Sequence, residues 1–248
     1  YQDAWQLTRR HLVYIVIAVT AAAVVYRFPS SFWLRTGWMW LLVGLGFLVL
    51  VLLPGIGKEV KGAQRWLPLG PFTFQPSEFA KLTVVVYLAG YLVRQAREVR
   101  EQWSGFFKPM GVLALVALLL LAEPDFGATV IVVATSFGML FLAGMKVTHF
   151  LAIVLASPIV VGALVFAAPY RMQRLTSFTD PWADPFGSGF QLIQSLIAFG
   201  RGEWLGVGLG NSVQKLFYLP EAHTDFVFSI WAEETGFVGA FALILLFT

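Results

Sequence analysis

The sequence predicts an all-α polytopic membrane protein, and two observations carry this prediction. Hydrophobic residues make up 58% of the chain and charged residues only 12%, with a mean hydropathy of +0.75, which lies outside the range of soluble globular domains. The apolar residues also form runs close to the length that a helix needs to cross roughly 30 Å of hydrocarbon, without the alternation of barrel strands. A helical bundle within a membrane is therefore expected.

About seven apolar runs are candidate membrane spans. In chain order they cover residues 11–26, 38–53, 77–93, 106–122, 128–143, 150–168 and 226–247. No internal repeat and no low-complexity linker divides the chain, so we expect a single transmembrane domain over residues 1–248. Because the numbering starts without Met and ends inside an apolar run, we expect this domain to be truncated at both ends.

The polar segment 169–225 separates the last two runs and is expected to be one large loop. The compact basic cluster at 94–100 is the best marker of the cytoplasmic face, since short basic loops stay inside. Alternation of the spans then places segment 169–225 and the basic segment 58–65 on the outer face. Basic residues there indicate an anionic ligand, although contact with lipid headgroups explains them equally well.

Asp184 is the strongest candidate for a reacting group. It lies between two Pro-containing turns and is followed by Gly187, Ser188 and Gly189. Glycines let a substrate approach the backbone closely, and a carboxylate on a positioned loop is suited to general base catalysis. A membrane edge of low dielectric is expected to raise the pKa of this carboxyl.

Charged residues near the ends of spans are further candidates. Glu78 and Lys81 are three residues apart on one helical face, so a structural ion pair explains them as well as a functional role does. Glu123 and Asp125 interrupt two apolar runs. They form either a tight turn with exposed acids, or a site in which Asp125 faces the same cavity as Asp184.

The second half of the polar segment has its own pattern. Residues 191–199 show helical spacing of apolar side chains and predict a short helix at the membrane interface. The glycine-rich stretch that follows contains Arg201; flexible turns explain it better than a nucleotide site, because no Walker pattern is present. Thr224 or Asp225 is expected to cap the last helix, and the acids Glu233 and Glu234 within it need a partner or water.

Five motifs together resemble the SEDS family (shape, elongation, division and sporulation) of bacterial polytopic membrane proteins. They are KGAQRW at 61–66, QPSEFAK at 75–81, EPDFG at 123–127, DPFGSG at 184–189 and LPEAHTDF at 219–226. The stretches 198–203 and 208–215 are more similar to the cell-division branch than to the elongation branch. The family fold has ten spans, so the resemblance implies that some lie outside this chain.

The resemblance implies a peptidoglycan glycosyltransferase that polymerises lipid II during septal wall synthesis, on the outer face of the bacterial inner membrane. The family's essential loop aspartate falls on Asp184, which would be the general base of an inverting transfer with undecaprenyl pyrophosphate as the leaving group. The residues expected to bind the pyrophosphate are, in order, Arg65, Lys81 and Arg201. The supporting residues are Glu78, Asp125, His223 and Asp225.

The resemblance also implies partners. They are a class B penicillin-binding protein, FtsI in the cell-division branch, together with the division proteins FtsQ, FtsL and FtsB, membrane lipids, lipid II and its pyrophosphate-linked glycan. No His, Asp or Glu cluster has metal-ligand spacing, so no cofactor is assigned, and a divalent cation is left open. The absence of cysteine excludes disulfides and thiolate metal sites.

Two other functions are compatible with the same residues. A lipid II flippase would use the charged cavity without any base, so that Asp184 would only contact the substrate. A non-catalytic division scaffold would activate a penicillin-binding protein and leave Asp184 with a structural role.

Overall fold

The computed structural model describes residues 4–60, 63–70, 72–166 and 169–248. The first two residues of the motif at 61–66 therefore lie outside the described residues. The chain forms two compact units, Tyr1–Val154 and Leu155–Thr248. The single domain over residues 1–248 stays a prediction.

Helices dominate the described residues. They are α1 (Ala4–Tyr26), α2 (Ser30–Leu52), α3 (Pro76–Arg94), α4 (Ala96–Glu101), α5 (Trp103–Ala122), α6 (Phe126–Leu142), α7 (Val147–Phe166), α8 (Pro169–Thr179), α9 (Phe190–Gly202) and α10 (Val227–Phe247). Pro29 precedes α2 and Pro76 opens α3, where a residue with fixed φ and no N–H suits a helix start.

Four of the described helices are long and apolar enough to cross a membrane, namely α1 over Thr8–Tyr26, α2, α5 and α10. Phe126–Leu142 and Val147–Ala156 are shorter apolar helices. These helices confirm the expected class, a helical protein that crosses the membrane several times. The number of seven spans stays a prediction.

A small antiparallel sheet follows α2 and was not expected from the sequence. Its strands, in the order β1-β2-β3, are Lys58–Val60, Ala63–Leu69 and Phe72–Phe74. Lys58 pairs with Trp66 and Leu67 with Phe74, so β2 lies in the middle. Ala63, Arg65 and Leu67 are alternate residues of β2, so they share one face of the strand. The side chains of Ala63 and Leu67 are buried there.

The core of the first unit lies between α2, α3, α5 and α6. Its buried side chains include Leu48, Val84, Leu120 and Val132. Glycine allows α2 and α3 to approach closely, since a Cβ on Gly37 would stand 2.9 Å from the carbonyl oxygen of Val86. Such small residues are typical of helix contacts within membranes. In the chain, the sheet joins the end of α2 to the start of α3, and a short turn joins the end of α5 to the start of α6.

The segment 169–225 contains more regular structure than a loop. It holds α8, a 3₁₀ turn (Pro181–Ala183), α9 and a π-helix (Gln214–Tyr218). The short helix predicted at 191–199 is confirmed as α9, while its place at the membrane interface stays a prediction. The expected cap of α10 is wrong, because Phe226 occupies the cap position and no side chain bonds there.

Helix α10 is broken at Gly236, which has φ 68° and ψ −168°. A Cβ at this position would meet backbone atoms of Trp204 and Gly206, so glycine is required for the close approach as well as for the dihedral angle. Four backbone hydrogen bonds to the segment after α9 satisfy the interrupted turn. They run from Val207 N–H to the Glu233 carbonyl (3.0 Å), Gly208 to Glu234 (3.0 Å), Phe237 to Glu203 (2.8 Å) and Val238 to Trp204 (3.2 Å).

Candidate functional site

Asp184 lies directly after the 3₁₀ turn and before α9, and its side chain is exposed. Ser188 donates two hydrogen bonds to its Oδ2, one from the backbone N–H at 2.8 Å and one from Oγ at 3.0 Å. A Cβ on Gly187 would collide with the Asp184 carboxylate, and one on Gly189 would collide with the carbonyl oxygen of Pro181. The two glycines are therefore needed to fold the turn around this carboxylate.

The expected rise in the pKa of Asp184 is wrong. The backbone and side-chain hydrogen bonds from Ser188 lower the pKa of this carboxyl below its usual value, and they outweigh the opposing effect of desolvation. Desolvation of the charged form, which alone would raise the pKa, is the smaller effect here. The local turn supplies donors to that form, so Asp184 is a carboxylate at neutral pH.

A second polar cluster belongs to the first unit and is built around Arg65. From the middle of β2, Arg65 donates through Nε to the backbone oxygen of Glu123 at 3.0 Å and through Nη2 to that of Pro124. Asp125 caps α6 by accepting the Ala128 N–H at 3.1 Å. These contacts fix the α5–α6 turn against the central strand.

The acids of this turn are not exposed, so that interpretation of residues 123–127 is wrong. Glu123 is 0% and Asp125 is 8% exposed. Gln75, just before α3, donates from Nε2 to Ser77 Oγ at 3.0 Å and to Asp125 Oδ2 at 3.4 Å. The placement of Asp125 in one cavity with Asp184 stays a prediction.

Glu123 has a distinct environment. Among the described residues, neither of its carboxyl oxygens has a hydrogen-bond partner. Burial, and then the nearby charge of Asp125, raise the pKa of Glu123 to about 8, although Arg65 acts in the opposite direction. Glu123 is therefore a neutral acid at pH 7, and nothing in the sequence pattern indicated this.

Lys81 and Glu78 form the ion pair that their spacing predicts. Lys81 Nζ lies 2.8 Å from Glu78 Oε1 on the first turns of α3. The Glu78 side chain is 60% exposed and that of Lys81 25%. An exposed pair of this kind contributes about 0–1 kcal/mol to stability, so the contact leaves the function of both residues open.

Arg201 lies in the last turn of α9, and its Nη1 is 3.7 Å from Oε1 of Glu233. Glu233 is 0% exposed. It also accepts hydrogen bonds from Ser212 Oγ, from the Val213 N–H at 3.2 Å and from the Gln214 N–H at 3.3 Å. Glu233 needs a partner because it is a buried acid in the last span. Residues 212–214, in the segment that follows α9, provide it.

The remaining supporting residues, His223 and Asp225, are exposed in the turns that precede α10. The structure groups Arg65 with Asp125 in the first unit, and Arg201 with Glu233 in the second. Glu123 and Gln75 complete the first group, while Ser188 accompanies Asp184; these three residues and Glu233 were not among the predicted site residues. The sequence did carry a signal for three of them, because Ser188, Glu123 and Gln75 lie within the DPFGSG, EPDFG and QPSEFAK motifs, each of which contains a predicted site residue.

Comparison with known proteins assigns the chain to a family. The model of the FtsW, RodA and SpoVE family, described as cell cycle proteins, matches residues 1–248. A relative from Pseudomonas fluorescens, named "Probable peptidoglycan glycosyltransferase FtsW", is 59% identical over 96% of this chain and 58% of its own length. One of the same name from Nitrosococcus halophilus is 56% identical over 99% of this chain and 63% of its own length.

Two solved structures share the fold. A chain described under "Structural coordination of polymerization and crosslinking by a peptidoglycan synthase complex" is 32% identical, with a TM-score of 0.76 over 99% of this chain and 67% of that one. The Thermus thermophilus rod shape determining protein RodA is 28% identical, with a TM-score of 0.64 over 99% of this chain and 63% of that one.

The chain spans about three fifths of the length of the curated relatives named above, at 58% and 63%. Its own length is matched from end to end by the family model, and the site motifs lie within the matched region. The resemblance seen in the five motifs is thereby confirmed. The chain belongs to the FtsW, RodA and SpoVE family, and it is a helical protein that crosses the membrane several times.

Proposed function

We propose that the protein containing this chain is a peptidoglycan glycosyltransferase that polymerises lipid II during septal wall synthesis. The names of the relatives support this function, and so does the arrangement at Asp184. An exposed carboxylate that is ionised at neutral pH can accept a proton, and the two donors from Ser188 fix the direction in which it does so. This arrangement is the observation that carries the proposal.

In the proposed step, the 4-hydroxyl of the incoming lipid II attacks the anomeric carbon of the growing strand. A bond forms between that oxygen and the anomeric carbon, the bond from this carbon to the pyrophosphate oxygen breaks, and the pyrophosphate keeps the electron pair. The hydroxyl proton passes to Asp184. One displacement inverts the α-linked donor to a β-linked product, so a single base is sufficient.

Both hydrogen bonds from Ser188 end on Oδ2 of Asp184. Neither of them involves Oδ1, to which we assign the hydroxyl proton. Because a lowered pKa makes a carboxylate a weaker base, alignment of the hydroxyl must supply much of the rate. The turn around Asp184 supports that role, since it fixes the direction of the carboxylate.

Cationic side chains are proposed to bind the departing pyrophosphate, in the order Arg65, Lys81 and Arg201. Arg65 and Lys81 come from β2 and α3, which also line an apolar cavity of about 380 Å³ through Leu67 and Phe79. A prenyl pyrophosphate combines an anionic head with an apolar tail, so this unit offers both kinds of surface. Glu78, Asp125, His223 and Asp225 are proposed to support these residues.

The location and partners are part of the same proposal. The active face is the outer side of the bacterial inner membrane at the septum, where lipid II is displayed. The partners are the class B penicillin-binding protein FtsI and the division proteins FtsQ, FtsL and FtsB. The neighbour described as part of a peptidoglycan synthase complex supports a crosslinking partner.

Reconstitution of the complete protein in liposomes with lipid II tests the proposal. Wild type and the control Asp180→Asn, an exposed acid just before the same turn, should give glycan strands. Asp184→Asn keeps the shape of the side chain and should reduce strand formation by about 100-fold or more, the size of a lost general base. Normal polymerisation by Asp184→Asn would remove this residue from the mechanism.

The same liposomes separate the other two functions. Movement of labelled lipid II across the bilayer without strands would indicate a flippase. No strands and no movement, with activation of FtsI preserved, would indicate a scaffold. Either result contradicts the proposed polymerase.

A further inference from the structure

The acid Glu233 is buried in the half of α10 that precedes the break. Its carboxylate accepts one side-chain and two backbone hydrogen bonds from residues 212–214. A buried carboxylate that lacked such donors would cost several kcal/mol, and donors held by the backbone cannot turn away. Its negative charge is therefore fixed in position.

Arg201 approaches this fixed charge from α9. Its guanidinium lies 3.7 Å from Glu233, while 45% of the side chain remains exposed. A guanidinium has five N–H donors in a planar fork, so one edge can face the carboxylate while the others remain available outside. Arg201 thus faces the buried carboxylate of Glu233 on one side and the exterior of the protein on the other.

The backbones on either side of this contact are also held together. A Cβ on Gly202 would collide with the carbonyl oxygen of Ala232, so the residues next to Arg201 and Glu233 in the sequence touch directly. Ser195 and Ser229 hydrogen bond at 2.6 Å farther along the same two helices. The separation of the two backbones that carry Arg201 and Glu233 is therefore set by packed helices.

We propose that Glu233 is a positioning residue that orients the guanidinium of Arg201 toward the diphosphate of the departing lipid. The inference rests on the proposed function, because it gives Arg201 the role assigned there. Glu233 itself touches no substrate. It acts by restricting the conformations of Arg201, which lowers the entropy lost when the diphosphate binds.

A double-mutant cycle in the reconstituted, complete protein tests this role. The variants are Arg201→Ala, Glu233→Gln and the two combined, and the readouts are KM for lipid II and kcat. Glu233→Gln should raise KM by about tenfold, within the range of coupled neighbours, with a smaller change in kcat. In the Arg201→Ala background the same substitution should change KM no further.

Glu234→Gln is the matched control. Glu234 is the adjacent acid and pairs with Lys215 at 2.6 Å instead of with Arg201. The effects of Glu234→Gln and Arg201→Ala on KM should be additive when the two substitutions are combined. Ser212→Ala is the second variant, because it removes one donor to Glu233 without removing the charge. It should raise KM in the same direction as Glu233→Gln, and only when Arg201 is present.

Several results would overturn the inference. Additive effects of Glu233→Gln and Arg201→Ala would show that Glu233 acts independently, and an unchanged KM in Arg201→Ala would remove Arg201 from substrate binding. If Glu233→Gln does not fold, the Ser212→Ala cycle decides between coupling and additivity. Failure of the wild type to make strands would reject the polymerase itself, whereas strands with an additive cycle would reject only the role of Glu233.

Discussion

Ser188 holds the carboxylate of Asp184 from one side, with its backbone N–H at 2.8 Å and its Oγ at 3.0 Å from the same oxygen. Both donors stabilise the charged form, which is why the pKa of Asp184 lies below its usual value. The residue that stabilises the ionised form of Asp184 is thus four positions away in the same turn.

Substitution of Ser188 should change the pH dependence of polymerisation. Ser188→Ala removes the Oγ donor and so raises the pKa of Asp184. Because the base must be ionised, the acid limb of the pH–rate profile should move to higher pH, with little change well above it. Ser177→Ala is the control, since its Oγ donates to Gln173 on α8. An acid limb that stays in place would show that Asp184 does not set it.

The turn around Asp184 should tolerate no side chain at Gly187. A Cβ there would meet both carboxyl oxygens of Asp184 and displace them. Gly187→Ala should lower the rate of polymerisation by about 100-fold, the cost of a misplacement on the order of 1 Å. Gly200→Ala has open space around its Cβ and should retain the rate. Equal rates for the two variants would contradict a fixed carboxylate.

Glu123 should make the protein less stable as the pH rises. The folded state holds its proton up to a pKa of about 8, whereas the unfolded state releases it near 4.5. Between these values the folded state binds more protons, so the free energy of unfolding falls with rising pH and levels off above about 8.

Glu123→Gln removes this titrating group, so the free energy of unfolding should depend less on pH. Thermal unfolding in detergent at pH 6 and pH 8.5 measures it: the variant should gain stability relative to wild type at the higher pH. The exposed Glu78→Gln should run parallel to wild type. A difference between Glu123→Gln and wild type that is the same at both pH values would contradict the raised pKa.

The break in α10 should depend on Gly236. Gly236→Ala combines a positive φ of 68° with a collision against the backbone of Trp204, so it should cost about 1–3 kcal/mol and lower the melting temperature. Gly138→Ala on α6 has free space and a helical backbone, and it should leave the melting temperature unchanged or raise it. A melting temperature unaffected by Gly236→Ala would argue for an unbroken helix.

The sequence predicted the class and most of the long helices, because length and apolar content are properties of each segment alone. It did not predict the sheet, since β1 and β3 have only three residues each and β2 contains a proline, Pro68, which is unusual inside a strand. Within 169–225 only residues 191–199 were predicted to be helical, whereas α8, a 3₁₀ turn and a π-helix also form there. Both the sheet and the structure within 169–225 depend on contacts with other segments, which composition does not reveal.

The candidate site was predicted in part. Asp184 and the pair formed by Glu78 and Lys81 follow from local motifs. The burial of Glu123 does not, because a Pro-Asp turn has the composition of an exposed one. The contact between Arg201 and Glu233 joins residues far apart in the chain, which no local spacing can indicate.

The four backbone hydrogen bonds at the break of α10 have a mechanical consequence. They cross between the last helix and residues 203–208 in both directions, so sliding of either segment must break them together. The two segments are therefore coupled at this point and move together. Movement of α10 at Gly236 would therefore also displace residues 203–208, which follow directly on the last turn of α9, where Arg201 lies.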